Sequence, residues 1–184
     1  MSFLHNSSNE RVASVGYVMD HTELLIIDTE GNVVPRGTRG ELLVRGYNVM
    51  HGYYNDPETT KLSMGEDGWF HTGDVATMAA DGAISLVGRI KDMIIRGGEN
   101  VYPSEVEHFL FKLDGIADAQ VFGIPDVRYG EIVCAWIRLR EGTQELTEEG
   151  IRELCEGRIS HYKIPHHVFI KRQEDFPLTA TGKV

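Results

Sequence analysis

The stretch GRIKDMIIRGGENVYPSEVE, from Gly88 to Glu107, marks the point where the chain changes character. The residues Asp92 to Arg96 predict a short strand, and the pair Gly97-Gly98 after it permits positive φ angles and close approach of another molecule. Without further context, a hairpin turn explains this pair equally well. Pro103 predicts the start of a helix, whose single apolar face is formed at i, i+3, i+4 and i+7 by Val106, Phe109, Leu110 and Leu113.

The residues that follow continue the same alternation of strands and helices. Ala119 to Ile124 and Glu131 to Leu139 read as two further strands. Thr147 predicts the cap of a second helix, and His167 to Lys171 a last strand. One side of that helix is predicted to carry Ile151, Leu154 and Cys155. The resulting order, β-α-β-β-α-β, predicts a compact α+β unit.

The sequence before Gly88 is mostly β, with tight turns. Strands are predicted at Glu23 to Asp28 and Gly40 to Arg45, and a hairpin joins Gly73 to Met78 with Ala83 to Val87. Asn55-Asp56-Pro57 predicts the cap and first turn of a short helix. We therefore expect two domains, residues 1–88 and 89–184.

The bulk composition is that of a globular protein with an acidic surface. The chain has 184 residues, of which 28 are acidic and 18 basic, and a formal charge of −10. This balance argues against nucleic acid or an anionic membrane as a partner. No run is long enough to span a bilayer, and the first residues lack the pattern of a secretion signal. Cys134 and Cys155 lie in apolar patterns and are expected to be buried thiols, so we expect a cytoplasmic protein.

Two short segments carry candidate chemistry. In Thr72-Gly73-Asp74 the carboxylate can accept two hydrogen bonds side by side, as a ribose with two hydroxyls requires, although a solvated turn aspartate is the simpler explanation. Lys183 follows Thr181-Gly182 and can reach a phosphate as a mobile charge, or be an ordinary tail lysine. It is not part of a P-loop, because a proline stands at the first glycine position and a valine follows the lysine. Three histidines cluster without the spacing of a metal site, namely His161, His166 and His167.

The order and spacing of these segments are more specific than any one of them. The run GELLVRG…GYYNDPETT, GWFHTGD, GRIKDMIIRGGENVYPSEVE and PLTATGK resembles the signatures of the adenylate-forming (AMP-binding) superfamily. That superfamily includes acyl-CoA synthetases, adenylation domains of peptide synthetases and beetle luciferases. The resemblance extends over nearly the whole chain after about Val15. The sequences of the segments DMIIRGGENVYPSEVE and ISHYKIP are most similar to those of medium-chain fatty acyl-CoA synthetases. It implies the end of a large domain's β subdomain followed by a small C-terminal lid domain.

The resemblance also implies a reaction in two steps and the residues that serve the first. ATP and a carboxylic acid give an acyl adenylate and pyrophosphate, and coenzyme A then displaces AMP. Asp74 resembles the aspartate that binds the ribose hydroxyls of ATP, and Arg89 the arginine that also contacts the ribose. Lys183 resembles the lysine that bridges the attacking carboxylate and the α-phosphate. Mg²⁺ is expected to accompany ATP in the complete enzyme, with no separate metal site in these residues.

The second step is implied to use other residues of the same chain. Lys91 falls at the family's hinge between the large and small domains. Gly97, Gly98 and Glu99 match the loop that lines the tunnel for the pantetheine arm of coenzyme A. For Lys163, in the segment HYKIP, a solvated lysine is the simpler explanation, and contact with a coenzyme A phosphate is the alternative.

The sequence departs from the family in what it does not contain. The Ser/Thr/Gly-rich phosphate loop, the Tyr-Gly-x-Thr-Glu segment and most of the acyl pocket have no counterpart in these residues. We therefore expect no catalysis without an N-terminal region, supplied in cis or as a second chain. The alternatives are a non-catalytic binding or regulatory remnant of the fold, or a fragment of a peptide-synthetase adenylation domain. A homo-oligomer is compatible with the ligase interpretation, whereas an independent module should be monomeric.

Overall fold

The chain divides into two compact units, residues 1–91 and 92–184. A computed structural model describes residues 14–143 and 146–172. The predicted boundary, after Gly88, lies three residues before the division between the two units, which follows Lys91. Each unit has its own sheet and is described separately. Within the described residues, no helix is long and apolar enough to cross a membrane.

The first unit contains a four-stranded antiparallel sheet whose strands are ordered as they occur in the chain. Its core consists of small and branched apolar residues that alternate along the strands, namely Ile26, Leu42, Ala76 and Ile84. The strands are β1 (Thr22–Ile27), β2 (Gly40–Gly46), β3 (Phe70–Met78) and β4 (Ile84–Arg89).

Helix α1 (Pro57–Ser63) connects β2 to β3 and begins where the sequence predicts. The Asp56 side chain accepts a hydrogen bond from the Thr59 N–H at 2.9 Å, and Pro57 occupies the first turn. The Asp56 side chain thus provides an acceptor for a backbone N–H that has no partner within the helix, and Pro57 fixes a φ angle suited to the first turn. The Thr59 N–H also holds the pKa of the Asp56 carboxyl below its usual value.

The second unit contains a five-stranded sheet with two helices, which confirms the α+β class. The sheet order is β6-β5-β8-β7, with β9 pairing parallel to β8. The elements are β5 (Ile94–Arg96), β6 (Glu99–Val101), α2 (Pro103–Leu110), β7 (Ile116–Asp126), β8 (Gly130–Leu139), α3 (Glu148–Cys155) and β9 (His167–Ile170). The predicted order β-α-β-β-α-β omitted β6. That strand has three residues, two of them polar, and so shows no alternation that a sequence pattern could reveal.

The helices of the second unit pack one face on the sheet. Val106, Leu110 and Leu113 are buried, as the periodicity predicts, and Phe109 packs against their cluster. In α3, the Thr147 hydroxyl accepts from the Gly150 N–H at 3.1 Å, and Ile151 and Cys155 are fully buried. Leu154, predicted to share their side of the helix, is less buried than these two residues. It is 37% exposed, because i+3 from Ile151 falls at the flank of this two-turn helix.

Both cysteines are free and buried, which confirms the reading of them as core residues. Cys134 lies in β8, and Cys155 ends α3. Burial raises the pKa of the Cys155 thiol to about 11 and also raises the pKa of Cys134. Neither thiol is therefore a nucleophile in the folded chain.

Candidate functional site

A bulge in β3 presents the first candidate residue. Glu41 pairs with Val75 and Leu43 pairs with His71, so the three residues from Thr72 to Asp74 lie opposite Leu42 alone. Gly73 has φ +69°, in the left-handed region that only glycine adopts readily. An irregularity of this kind locally re-aims the side chains of a strand. Asp74 is the last of the three residues in this irregular segment.

Side chains replace the ladder hydrogen bonds that the bulge interrupts. The Thr72 hydroxyl accepts from the Asp74 N–H at 3.0 Å and donates to the Leu42 carbonyl at 2.8 Å. The Glu41 carboxylate accepts from the Gly73 N–H at 3.3 Å, and its second oxygen lies 3.0 Å from the His71 Nδ1. The Gly73 and Asp74 N–H groups thus have side-chain acceptors in place of ladder carbonyls of β2. Sequence reasoning missed Glu41, whose position in GELLVRG carries no sign of this contact.

Asp74 and Arg89 are brought together by the pairing of β3 with β4. The two residues are direct partners in the register, and the Arg89 Nε lies 3.0 Å from the Asp74 Oδ1. The Asp74 side chain is 23% exposed, so its carboxylate is accessible from one side. Asp74 therefore belongs to a strand and an ion pair, and its interpretation as a solvated turn residue was wrong.

A cavity of about 430 Å³ adjoins the bulge and the end of β4. Lys91 lies at its edge, in the 3₁₀ turn Ile90–Asp92, and is the last residue of the first unit. The lining combines a carboxylate with basic, hydroxyl and apolar groups, namely Glu41, Tyr53, Leu62, Ser63, His71, Thr72, Gly73, Arg89, Ile90 and Lys91.

In the second unit, Gly97 and Gly98 form the two-residue loop of the β5–β6 hairpin. Arg96 pairs with Glu99 across it, and the φ angles of the glycines are +60° and +87°. Two consecutive positive φ angles define a type I′ turn. A Cβ at Gly97 would lie 3.5 Å from the Tyr129 ring, whereas at Gly98 it would meet nothing of this chain within 4 Å. Thus the pair is a hairpin turn, and Gly98 also leaves room for another molecule.

Lys163 lies in a second cavity, of about 320 Å³, beside α2. Its Nζ is 2.7 Å from the Glu105 Oε1, and its side chain is only 14% exposed. The interpretation of Lys163 as a solvated lysine was therefore wrong. The cavity is lined by Glu105, Val106, Gly157, Arg158, Ile159, Ser160 and Lys163.

Lys183 and the clustered histidines are the remaining predicted residues. Lys183 lies outside the described residues. The rings of His166 and His167 meet edge to face at 4.7 Å, and burial is the main cause that lowers the pKa of His166. Within the ranges described above, no group of three or more His, Cys, Asp or Glu side chains is placed to hold a metal ion.

Two family models match the chain over its two ends. The model described as AMP-binding enzyme matches residues 2–54, and the model described as AMP-binding enzyme C-terminal domain matches residues 105–183. The chain therefore belongs to the AMP-binding enzymes and matches their carboxyl-terminal portion. This confirms the resemblance that the sequence motifs indicate.

Named relatives narrow the resemblance to acyl-CoA synthetases. A medium-chain acyl-CoA ligase ACSF2, mitochondrial, of Danio rerio is 47% identical over 180 residues, which are 97% of this chain and 29% of that protein. A putative acyl-CoA synthetase YngI of Bacillus subtilis is 42% identical over 98% of this chain and 32% of its own length. The chain thus spans about 30% of the length of these relatives.

A solved structure shows the same fold. The o-succinylbenzoate CoA synthetase MenE of Bacillus subtilis, in complex with the acyl-adenylate intermediate OSB-AMP, superposes with a TM-score of 0.86 at 32% identity. The match covers 96% of this chain and 35% of that one.

Proposed function

We propose that this chain is the carboxyl-terminal part of an acid–thiol ligase that activates a medium-chain fatty acid with ATP and transfers the acyl group to coenzyme A. The observation that carries the proposal is the contact between Asp74 and Arg89 at a distorted strand, in a chain 47% identical to a medium-chain acyl-CoA ligase.

In the first half-reaction, the Asp74 carboxylate accepts hydrogen bonds from the ribose hydroxyls of ATP. Arg89 occupies one carboxylate oxygen, and an ionised carboxylate retains further acceptor sites. A carboxylate oxygen of the acid attacks the α-phosphorus, and pyrophosphate leaves. Lys183 places a cation between these two anions and offsets their repulsion as they meet. Mg²⁺ enters with ATP, and no residue assigned in this chain holds it.

In the second half-reaction, Lys91 serves as the hinge, and the Gly97-Gly98-Glu99 turn replaces Lys183 at the reacting centre. The thiol of coenzyme A attacks the acyl carbonyl, and AMP leaves. Gly98 gives the pantetheine arm its space, since nothing of this chain lies within 4 Å of its absent Cβ. Lys163 is assigned to a coenzyme A phosphate, which would share the ammonium with Glu105.

We further propose that catalysis requires an upstream region, in cis or as a second chain, that supplies the phosphate loop and acyl pocket. The test is ATP–pyrophosphate exchange by the purified chain across short, medium and aromatic acids, with and without a separately expressed upstream region of a related ligase. We expect exchange only with the partner, and with medium-chain acids. ATP–pyrophosphate exchange by the chain alone would overturn the requirement for an upstream region. No exchange either with or without that region would favour a non-catalytic remnant.

Two substitutions separate the half-reactions in the reconstituted enzyme. Lys183→Ala should abolish exchange but keep thioester formation from supplied acyl adenylate. Gly98→Leu should keep exchange and lose thioester formation. Equal damage to both steps by both variants would refute the two roles. Use of a carrier protein instead of coenzyme A as the acceptor would identify the fragment as part of a peptide-synthetase adenylation domain.

We propose the cytoplasm as the compartment, because two free buried cysteines suit a reducing environment. The Danio rerio relative is named mitochondrial, so the discriminating measurement is fractionation of cells that express the complete protein. Recovery with mitochondria would overturn the assignment. Sedimentation of the same protein tests whether it is a homo-oligomer.

A further inference from the structure

The position of Asp74 depends on a residue that lies 33 positions before it in the chain. Glu41 stands on β2, and its carboxylate reaches across the bulge in β3. One oxygen accepts from the Gly73 N–H at 3.3 Å and the other lies 3.0 Å from the His71 Nδ1. The side chain is 19% exposed, so most of it is held against the sheet. Glu41 thereby contacts the residue that begins the irregular register and the residue that precedes Asp74.

We propose that Glu41 is a positioning residue for nucleotide binding, acting through Asp74. The inference rests on the proposed function, in which Asp74 receives the ribose hydroxyls. Gly73 has φ +69° and no side chain to restrain it, so its N–H needs a fixed acceptor to hold this conformation. Glu41 provides that acceptor and fixes the direction in which the next side chain leaves the strand.

Thr72 supports the same geometry from the other side. Its hydroxyl accepts from the Asp74 N–H and donates to the Leu42 carbonyl. It fixes the backbone of Asp74 but does not reach Gly73. Loss of Glu41 therefore leaves β3 paired with its neighbours while Gly73 becomes free to turn. The variant should therefore keep its fold, while the Asp74 carboxylate loses its fixed orientation.

The test compares ATP with 2′-deoxyATP in the chain reconstituted with an upstream region. A site that binds a substrate hydroxyl discriminates against the analogue that lacks it. We expect the unsubstituted chain to prefer ATP in kcat/KM, and Glu41→Ala to reduce that preference about 2- to 10-fold, the range for loss of one hydrogen bond. Glu41→Gln keeps a carbonyl acceptor for the Gly73 N–H and should restore the preference.

A matched control is Glu23→Ala. Glu23 is another carboxylate on the same sheet and pairs with Arg45 at 3.0 Å, but it lies on β1 away from the bulge. This variant should retain the full preference for ATP. Should Glu41→Ala fail to fold, Glu41→Asp replaces it, because it keeps the charge and shortens the reach by one methylene group.

Asp74→Ala separates failure of this inference from failure of the proposed function. If Asp74→Ala leaves the ATP preference unchanged, Asp74 is not the ribose ligand and the proposed function fails. If Asp74→Ala loses the preference while Glu41→Ala and Glu41→Asp keep it, only the positioning role is overturned. In the Glu41→Ala/Asp74→Ala double variant, the effects should not add, because both act at one contact.

Discussion

The Arg89 Nε lies 3.0 Å from the Asp74 Oδ1 in an ion pair, and the two residues face each other in the β3–β4 register. More than half of the Arg89 side chain is exposed. An exposed ion pair contributes little to stability, whereas the same charged groups form strong hydrogen bonds with a bound ligand. The two effects can be measured separately.

Asp74→Asn should therefore affect nucleotide binding far more than folding. We expect the free energy of unfolding of the chain to fall by about 1 kcal/mol or less. We expect the KM for ATP in the reconstituted enzyme to rise about 10- to 100-fold, the range for a hydrogen bond to a charged group. Urea denaturation and initial-rate kinetics measure the two quantities, with Glu23→Gln on the same sheet as control. An unchanged KM for ATP would contradict the role of Asp74.

Substitutions in the Glu105–Lys163 pair should, in contrast, clearly lower the free energy of unfolding. Lys163→Met removes the cation and leaves the Glu105 carboxylate at a half-buried position without it, which costs about 1–2 kcal/mol of unfolding free energy. The double variant Glu105→Gln/Lys163→Met should recover part of this loss, because it also removes the half-buried negative charge. Urea denaturation of the four members of the cycle gives the coupling energy.

The same cycle tests the assignment of Lys163 to coenzyme A. If Lys163 also binds a phosphate, the double variant regains stability but keeps a raised KM for coenzyme A. A KM that returns to the original value together with stability would show that Lys163 only ties its loop to α2.

The local signals of the sequence predicted the elements better than the contacts between them. Pro103 and Thr147 each correctly predicted the start of a helix, because capping and proline effects act within one turn. Gly73, in the bulge, contacts Glu41, 32 residues away, and no periodicity encodes such a contact. Lys163 and Glu105 are 58 residues apart, which explains why the lysine was read as solvated. The candidate site was found by motif, and its supporting residues only by structure.

The β5–β6 turn gives a prediction about backbone conformation. Asparagine followed by glycine is the preferred pair of a type I′ turn, so Gly97→Asn should change the free energy of unfolding by less than about 0.5 kcal/mol. Gly97→Val should cost about 1–2 kcal/mol, because a β-branched residue is strained at φ +60°. Thermal melts of both variants against the unsubstituted chain measure this difference. Equal destabilisation by the two substitutions would show that contact with Tyr129, not backbone strain, limits this position.

The two cysteines should be unreactive until the chain unfolds. Cys155, with its pKa of about 11, is ionised to only about 0.1% near pH 8, and both thiols are fully buried. We expect no reaction with an aromatic disulfide reagent in the native state, and two thiols per chain in guanidinium. Rapid native modification of one thiol would show that the second unit opens locally at β8 or at α3, and Cys134→Ala and Cys155→Ala would assign the site.

Glu107 should make the stability of the chain depend on pH. It accepts from the Val121 N–H at 2.8 Å and so ties α2 to β7. Burial raises the pKa of its carboxyl above 4.5, the Val121 hydrogen bond acts in the opposite direction, and the nearby Asp118 and Asp92 add to the rise. A raised pKa means that the folded state binds the proton more tightly than the unfolded state. Ionisation of Glu107 therefore costs stability, and this cost is absent below 4.5 and complete above the folded-state pKa.

Glu107→Gln removes the charge and keeps an oxygen that can accept from Val121. We expect this variant to melt at a higher temperature than the unsubstituted chain near neutral pH, and the difference to vanish as the pH falls below 4.5. Glu107→Ala should melt lower at every pH, since it leaves the Val121 N–H without this acceptor. Thermal melts across this pH range measure both effects. A difference between Glu107→Gln and the unsubstituted chain that stays constant with pH would show that shape, and not the buried charge, sets the contribution of Glu107.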